Sequence, residues 1–249
     1  MNEVKIEPQL EERWEAKKPY EMCFFKGFLP DLKPVFQEWN LPIDRVVKGQ
    51  TIKGRPTRGF GDFEFEYTGK LMTPDPWNSH PDMPVIKEAV ENKLTDWITN
   101  SNTSFAKDLL FRWKDKPNQL SECSFDFCLV GLYKTGLVHI PHHTDTVPSA
   151  DSLVLSLSFG APRLFIWRQY NFAIKNKLNT SEVVEDLYYN KKRCRTTKPY
   201  QMFYFYLEHG DAVLFTGKSQ LFATHAVPKL NGLNEPRINL TFRSGLSQV

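Results

Sequence analysis

After residue 120 the chain is cut by turn-forming residues into short segments, most of which alternate or run apolar for four to eight residues, and this punctuation confines the second half to a fold of many strands. The candidate strands are Ser124 to Tyr133, Ser152 to Phe159, Arg163 to Trp167, Tyr200 to Leu207, Ala212 to Thr216, Leu221 to His225 and Arg237 to Arg243. Turn residues separate them, including the pairs Gly210-Asp211 and Asn231-Gly232. Short strands at this density predict a sandwich or a barrel. The first half is mixed. Pro84 suits the first turn of a helix, and Ile86, Val90, Leu94 and Trp97 recur at helical spacing, so an amphipathic helix is predicted over 84–99, packed on a sheet. A second helix is predicted over Ser104 to Trp113. No repeat, low-complexity tract or linker divides the chain, which reads as one domain with an N-terminal extension.

Composition narrows the function classes. The chain has 249 residues with 32 Lys+Arg against 29 Asp+Glu, and 41% of it is hydrophobic, which excludes both a disordered chain and a histone-like binder. No apolar run approaches the roughly 20 residues of a membrane span, and the N-terminal stretch lacks the apolar core of a signal peptide. An intracellular protein, cytoplasmic or nuclear, without a membrane partner and monomeric, is the expectation. Cys23, Cys123, Cys128 and Cys194 form neither a C-x-x-C pair nor a zinc module, so they read as free thiols.

The chemistry concentrates in Pro141-His142-His143-Thr144-Asp145. On an extended backbone a spacing of two puts His143 and Asp145 on the same side, as two neighbouring ligands. A third ligand from a distant strand would complete a facial triad of two histidines and one carboxylate, leaving three positions open on ferrous iron. His225, closing the segment LFATH, is the candidate. Arg237 to Arg243 then alternates strictly: the odd positions are polar (Arg237, Asn239, Thr241, Arg243) and the even ones apolar (Ile238, Leu240, Phe242). Taken alone this is a half-exposed strand. Two guanidiniums on one face also suit a dicarboxylate, because the guanidinium fork pairs bidentately with a carboxylate.

H-x-D, a distant His and R-x-N-x-T-x-R, in that order, resemble the AlkB-like branch of the iron(II)- and 2-oxoglutarate-dependent dioxygenases. The resemblance covers about 124–245, with a looser echo in 55–77. It continues through Leu132-Tyr133-Lys134-Thr135-Gly136, Ser156-Leu157-Ser158-Phe159-Gly160 and Gly210-Asp211-Ala212-Val213-Leu214. It implies a mainly β fold with flanking helices (α+β): a double-stranded β-helix, or jelly roll, core over about 119–249, and an N-terminal helical and hairpin extension over about 1–118 with a substrate lid near 55–77. Carried over residue by residue, His143, Asp145 and His225 would bind iron. Arg237, helped by Tyr133 and Asn239, would hold the distal carboxylate of 2-oxoglutarate, and Arg243 would lie near its metal-chelating end. Gly131 stands where the family often has Asn. The implied cofactors are Fe(II), 2-oxoglutarate and O2, with no separate acid or base assigned. The implied activity is oxidative N-demethylation of bases in DNA or RNA, releasing formaldehyde, succinate and CO2.

On the substrate side, Phe63, Phe65 and Tyr67 alternate, which fits either a strand's core face or a stacking platform for a base. The resemblance places a nucleotide-recognition lid here, with Phe65 and Tyr67 against the base and Arg55 and Arg58 near phosphates. Two departures bear on the substrate. Family members that repair bases commonly carry an acid within two positions of the triad aspartate, where this chain has Thr146 and Val147. The stretch 169–198 is longer than the family's usual connection, and from Arg168 to Lys198 it carries eight basic residues against three acidic ones, a solvated loop or a nucleic-acid contact. A hydroxylase or demethylase of a free nucleotide, a protein or a small molecule is therefore the alternative, and a non-catalytic nucleic-acid-binding module the second.

Overall fold

A computed structural model of the chain describes residues 21–33, 45–47, 50–52, 55–67, 70–113, 123–170, 200–221 and 223–245. Two antiparallel sheets face each other. The larger is built from β1 (Met22–Phe25), β12 (Ala212–Thr216), β9 (Leu153–Gly160), β14 (Arg237–Arg243), β7 (Phe127–Tyr133) and β4 (Thr57–Gly61), in that spatial order. The smaller has the order β11 (Tyr200–Leu207), β10 (Arg163–Tyr170), β13 (Ala223–Val227) and β8 (Ile140–His143). Two separate hairpins pair β2 (Arg45–Val47) with β3 (Gln50–Ile52) and β5 (Phe65–Tyr67) with β6 (Lys70–Met72). Helices α1 (Asp82–Asn100) and α2 (Ser104–Trp113) complete the fold, a jelly roll with flanking helices.

Strand alternation explains why the larger sheet is buried on both faces. Leu155, Leu157 and Phe159 of β9, Ala212 and Leu214 of β12, and Ile238, Leu240 and Phe242 of β14 share one apolar cluster with Met83, Ile86, Val90, Leu94 and Ile98 of α1. The opposite side chains of the same strands, Val154, Val213 and Phe215, meet Phe165, Trp167, Phe205 and Leu207 of the smaller sheet in a second cluster. Truncating a core leucine such as Leu157 to Ala in so closed a layer typically costs 2–5 kcal/mol.

Several strands follow the sequence reading residue for residue, and the departures have local causes. Helix α1 begins at Asp82, two residues before Pro84, and Ile98 rather than Trp97 closes its buried stripe. β10 runs past Trp167 to Tyr170, because Arg168 and Gln169 pair with β11 and β13 on either side. β13 begins at Ala223 and runs beyond His225 to Val227. β14 is not half-exposed: every residue in it is buried, its apolar face under the helices and its polar face toward the smaller sheet. β1 and β4, from the N-terminal extension, occupy the two edges of the larger sheet, so the extension is woven into the core. Most of the basic stretch 169–198 lies outside the described residues.

Candidate metal centre and co-substrate pocket

His143 ends β8, His225 is the central residue of β13, and the two are register partners across the sheet. Cross-strand partners bring their Cβ atoms to about 5 Å. The two imidazole centroids accordingly lie 4.2 Å apart. The chain beyond β8 returns the Asp145 carboxylate to 3.9 Å from His143 Nε2 and 3.7 Å from His225 Nε2. Each of the three residues offers one ligand atom, and these atoms all lie within 4.8 Å of one another.

Each ligand is prepared differently. His143 Nδ1 lies 2.8 Å from the Pro141 carbonyl, which only accepts, so Nδ1 carries the hydrogen and Nε2 turns its lone pair to the centre. His225 is walled by Phe165 and Trp167, both nearly parallel to its ring, at centroid distances of 5.4 and 6.2 Å. Burial in that wall, with His143 alongside, pushes its pKa down to about 3. Burial alone would raise the Asp145 carboxyl, but Arg243 first and then the two imidazoles hold it at about 2. Arg243 Nη2 donates to Asp145 Oδ1 at 3.0 Å from a side chain only 1% exposed. Gln220 accepts from the Asp145 backbone N–H at 3.0 Å and fixes the turn. At neutral pH both His225 and Asp145 are therefore already in the form that binds a metal. One carboxylate and two imidazoles fit a ferrous ion.

From Arg243 the polar face of β14 leads to a second buried site. Arg237 Nη2 donates to Ser158 Oγ at 2.7 Å and to Asn239 Oδ1 at 2.5 Å. Asn239 Oδ1 also accepts from Ser156, and its Nδ2 donates to Thr241, so Asn239 steadies Arg237 from within a network. Arg237 is 1% exposed, and among the described residues its Nε and Nη1 have no hydrogen-bond partner. Buried guanidinium donors left over in this way suit an anion. Tyr133, fully buried, presents its ring to Arg237 at 4.8 Å. This lining suits a carboxylate. Gln220 and Ser158 were not singled out by sequence reading, although serines at 156 and 158 inside an apolar strand do signal a polar inner face.

The lid residues are placed less uniformly. Phe65 is 3% exposed, stacked on Phe127 at 4.7 Å, with the Arg243 guanidinium 4.6 Å from its ring centroid. Phe63, just ahead of β5, is 40% exposed. Tyr67 pairs with Lys70 in the hairpin, and its side chain lies outside the described residues. Arg58 pairs with Asp75 at 2.5 Å. Arg55 donates through its Nη1 to the Tyr133 hydroxyl at 2.6 Å. His142, one residue from His143, sits beside the Thr224 hydroxyl on the other face of the sheet, while His209 bridges the Gly160 N–H and the Leu32 carbonyl.

The chain is 25% identical to the DNA oxidative demethylase ALKBH2 of Mus musculus over 90% of this chain and 70% of that protein. It is 29% identical to the Bos taurus alpha-ketoglutarate-dependent dioxygenase alkB homolog 3 over 76% of this chain and 51% of that one, so it spans about half of that relative's length. A solved structure titled "The structure of OsALKBH1" aligns over 92% of this chain with a TM-score of 0.47 at 18% identity. The sequence profile of the 2OG-Fe(II) oxygenase superfamily matches residues 47–243, and with the His143-Asp145-His225 cluster at the heart of that span, the chain belongs to this superfamily of 2-oxoglutarate-dependent dioxygenases.

Proposed function

We propose that this dioxygenase oxidatively demethylates methylated bases in DNA or RNA, with His143, Asp145 and His225 holding the iron and Arg237 holding the distal carboxylate of 2-oxoglutarate. The bound metal and co-substrate supply the oxidation of an N-methyl carbon by dioxygen, with succinate, CO2 and formaldehyde as products. The chain's part is to bind and orient. Arg243 fixes the triad carboxylate, the β14 network steadies Arg237, and the aromatic wall keeps His225 neutral. The observation that carries the reading is that one strand face joins a buried arginine holding the cluster's carboxylate to a second buried arginine with two unfilled donors.

The nucleic-acid substrate is supported by the relatives' name as DNA oxidative demethylases and by the position of the β5–β6 hairpin, whose buried foot touches Arg243. Phe63, exposed at its entrance, is the aromatic we assign to the base together with Tyr67, while Phe65 packs inward on Phe127. We place the working boundary between extension and catalytic core near residue 118 and the protein in the nucleus or cytoplasm; among the described residues no helix is long and apolar enough to cross a membrane. One observation favours the free-nucleotide, protein or small-molecule reading: Val147 is buried in the intersheet cluster, and Thr146 carries no charge to read an exocyclic amine. Methylated oligonucleotides and free methylated nucleotides, scored for formaldehyde and succinate, separate the two. Demethylation of oligonucleotides is expected. Turnover confined to free nucleotides would overturn the polynucleotide reading.

A further inference from the structure

Gly131 lies in the middle of β7, between Thr57 of β4 on one side and Asn239 of β14 on the other. A Cβ at this position would stand 2.7 Å from both Cζ and Nε of Arg55 and 2.9 Å from its Nη1, closer than real Cβ contacts come. Any side chain at 131 would therefore have to displace the Arg55 guanidinium. That guanidinium rests over bare backbone, beside the asparagine that accepts from Arg237.

Three guanidiniums surround the Tyr133 ring: Arg237 at 4.8 Å, Arg55 at 4.9 Å and Arg163 at 5.2 Å from its centroid. Arg163 is accounted for, because it donates to the carbonyls of Thr135, Gly136, Val138 and Pro228 and ties two loops together. Burial first, and then the charges of Arg55 and Arg163, lower the Arg237 pKa to about 10 against the pull of Tyr133. Like charges gathered in a poorly solvated pocket favour an anion among them. Arg237 keeps two donors for it.

We propose that Arg55 is a second guanidinium for the distal carboxylate of 2-oxoglutarate, admitted to the pocket by the missing side chain at Gly131. This rests on the assignment of Arg237 to the same carboxylate. It moves Arg55 from the nucleic-acid side of the lid to the co-substrate, and it makes the segment leading into β4 part of the co-substrate pocket.

The test is calorimetric titration of the full chain, loaded with manganese(II) and without oxygen, with 2-oxoglutarate and with 2-oxoglutaramate, whose distal end is an uncharged amide. Wild type should prefer 2-oxoglutarate, and Arg55→Ala should reduce that preference about tenfold while Arg55→Lys restores part of it. Gly131→Ala should lower the preference in the same direction with little change in Tm, since the displaced group is the end of a flexible side chain. Unchanged preference in both Arg55→Ala and Gly131→Ala would overturn the proposal, and so would equal losses for the two ligands, which would mark Arg55 as scaffold. Failure of the wild type itself to prefer 2-oxoglutarate would instead remove the Arg237 assignment on which the proposal stands.

Discussion

His143 and Asp145 are two residues apart yet tolerate loss differently. His143 is partly open to solvent, with its side chain 32% exposed, whereas Asp145 is the counter-charge of an arginine that water does not reach. Replacing any of His143, Asp145 or His225 by Ala should abolish 2-oxoglutarate turnover and cobalt(II) binding, checked by succinate release and by titration. Asp145→Ala should in addition destabilise the metal-free protein by about 3–5 kcal/mol, because it strands a buried cation, while Asp145→Asn should cost less. Equal melting temperatures for Asp145→Ala and His143→Ala would contradict this. Arg237→Ala should weaken 2-oxoglutarate binding by well over tenfold, as the loss of a buried bidentate pair costs about 2–5 kcal/mol. The pH dependence follows from His225. Its pKa falls from an ordinary 6.5 to about 3, so between these values the unfolded chain takes a proton that the folded one refuses, and stability falls as pH falls across that window. Asp145, lowered from 3.8 to about 2, adds a loss of the same sign at the acid end. Tm of the metal-free protein measured with a chelator should decline from about pH 6.5 downward, and a flat profile to pH 4 would count against a neutral buried His225.

At the scale of elements, β8 is the edge of the smaller sheet and pairs with β13 through a register that shifts between His225 and Val227, next to the histidine pair. A metal bridging His143 and His225 would pin that edge, so manganese(II) should slow amide exchange across 140–145 more than elsewhere in the sheet. β8 is one of several strands that sequence pattern did not delimit, with β1, β2, β3, β4 and β6: Ile-Pro-His-His shows no alternation, and its extended form comes from pairing with a strand some 80 residues away. By contrast β11, β12 and β14 were legible to the residue, since each is an apolar or alternating run flanked by turn or charged residues. The grouping of His143, Asp145 and His225, and the meeting of Arg237 with Asn239 on one strand face, were legible from motif order. Arg55 was not, because its position depends on a contact with Tyr133 across 78 residues and on space left by a glycine. The β5–β6 hairpin shows the same limit: alternation put Phe65 and Tyr67 on one face but could not tell a stacking platform from a foot. Phe65→Ala should therefore cost about 3 kcal/mol in stability, with a drop in Tm as the readout, whereas Phe63→Ala should raise substrate KM and leave Tm unchanged.

For the whole molecule, the question is how a polynucleotide would be held. If the basic residues beyond Arg168 meet phosphates, neutralising Lys191, Lys192 and Arg193 together should reduce the slope of log affinity against log salt by about 2. Fluorescence anisotropy with a single-stranded oligonucleotide at several salt concentrations measures it, and an unchanged slope would assign that stretch to solvent. The larger sheet meanwhile draws its edge strands from residues 22–25 and 57–61, so a truncation that removed the extension would strip both edges from the core rather than release an independent catalytic half. Phe65, Arg243 and Asp145 form one continuous line of contact from hairpin to metal cluster. Transplanting the hairpin of another protein would thus change the cushion under Arg243 and, through it, the setting of the Asp145 carboxylate, so the hairpin and the cluster cannot be exchanged as independent parts.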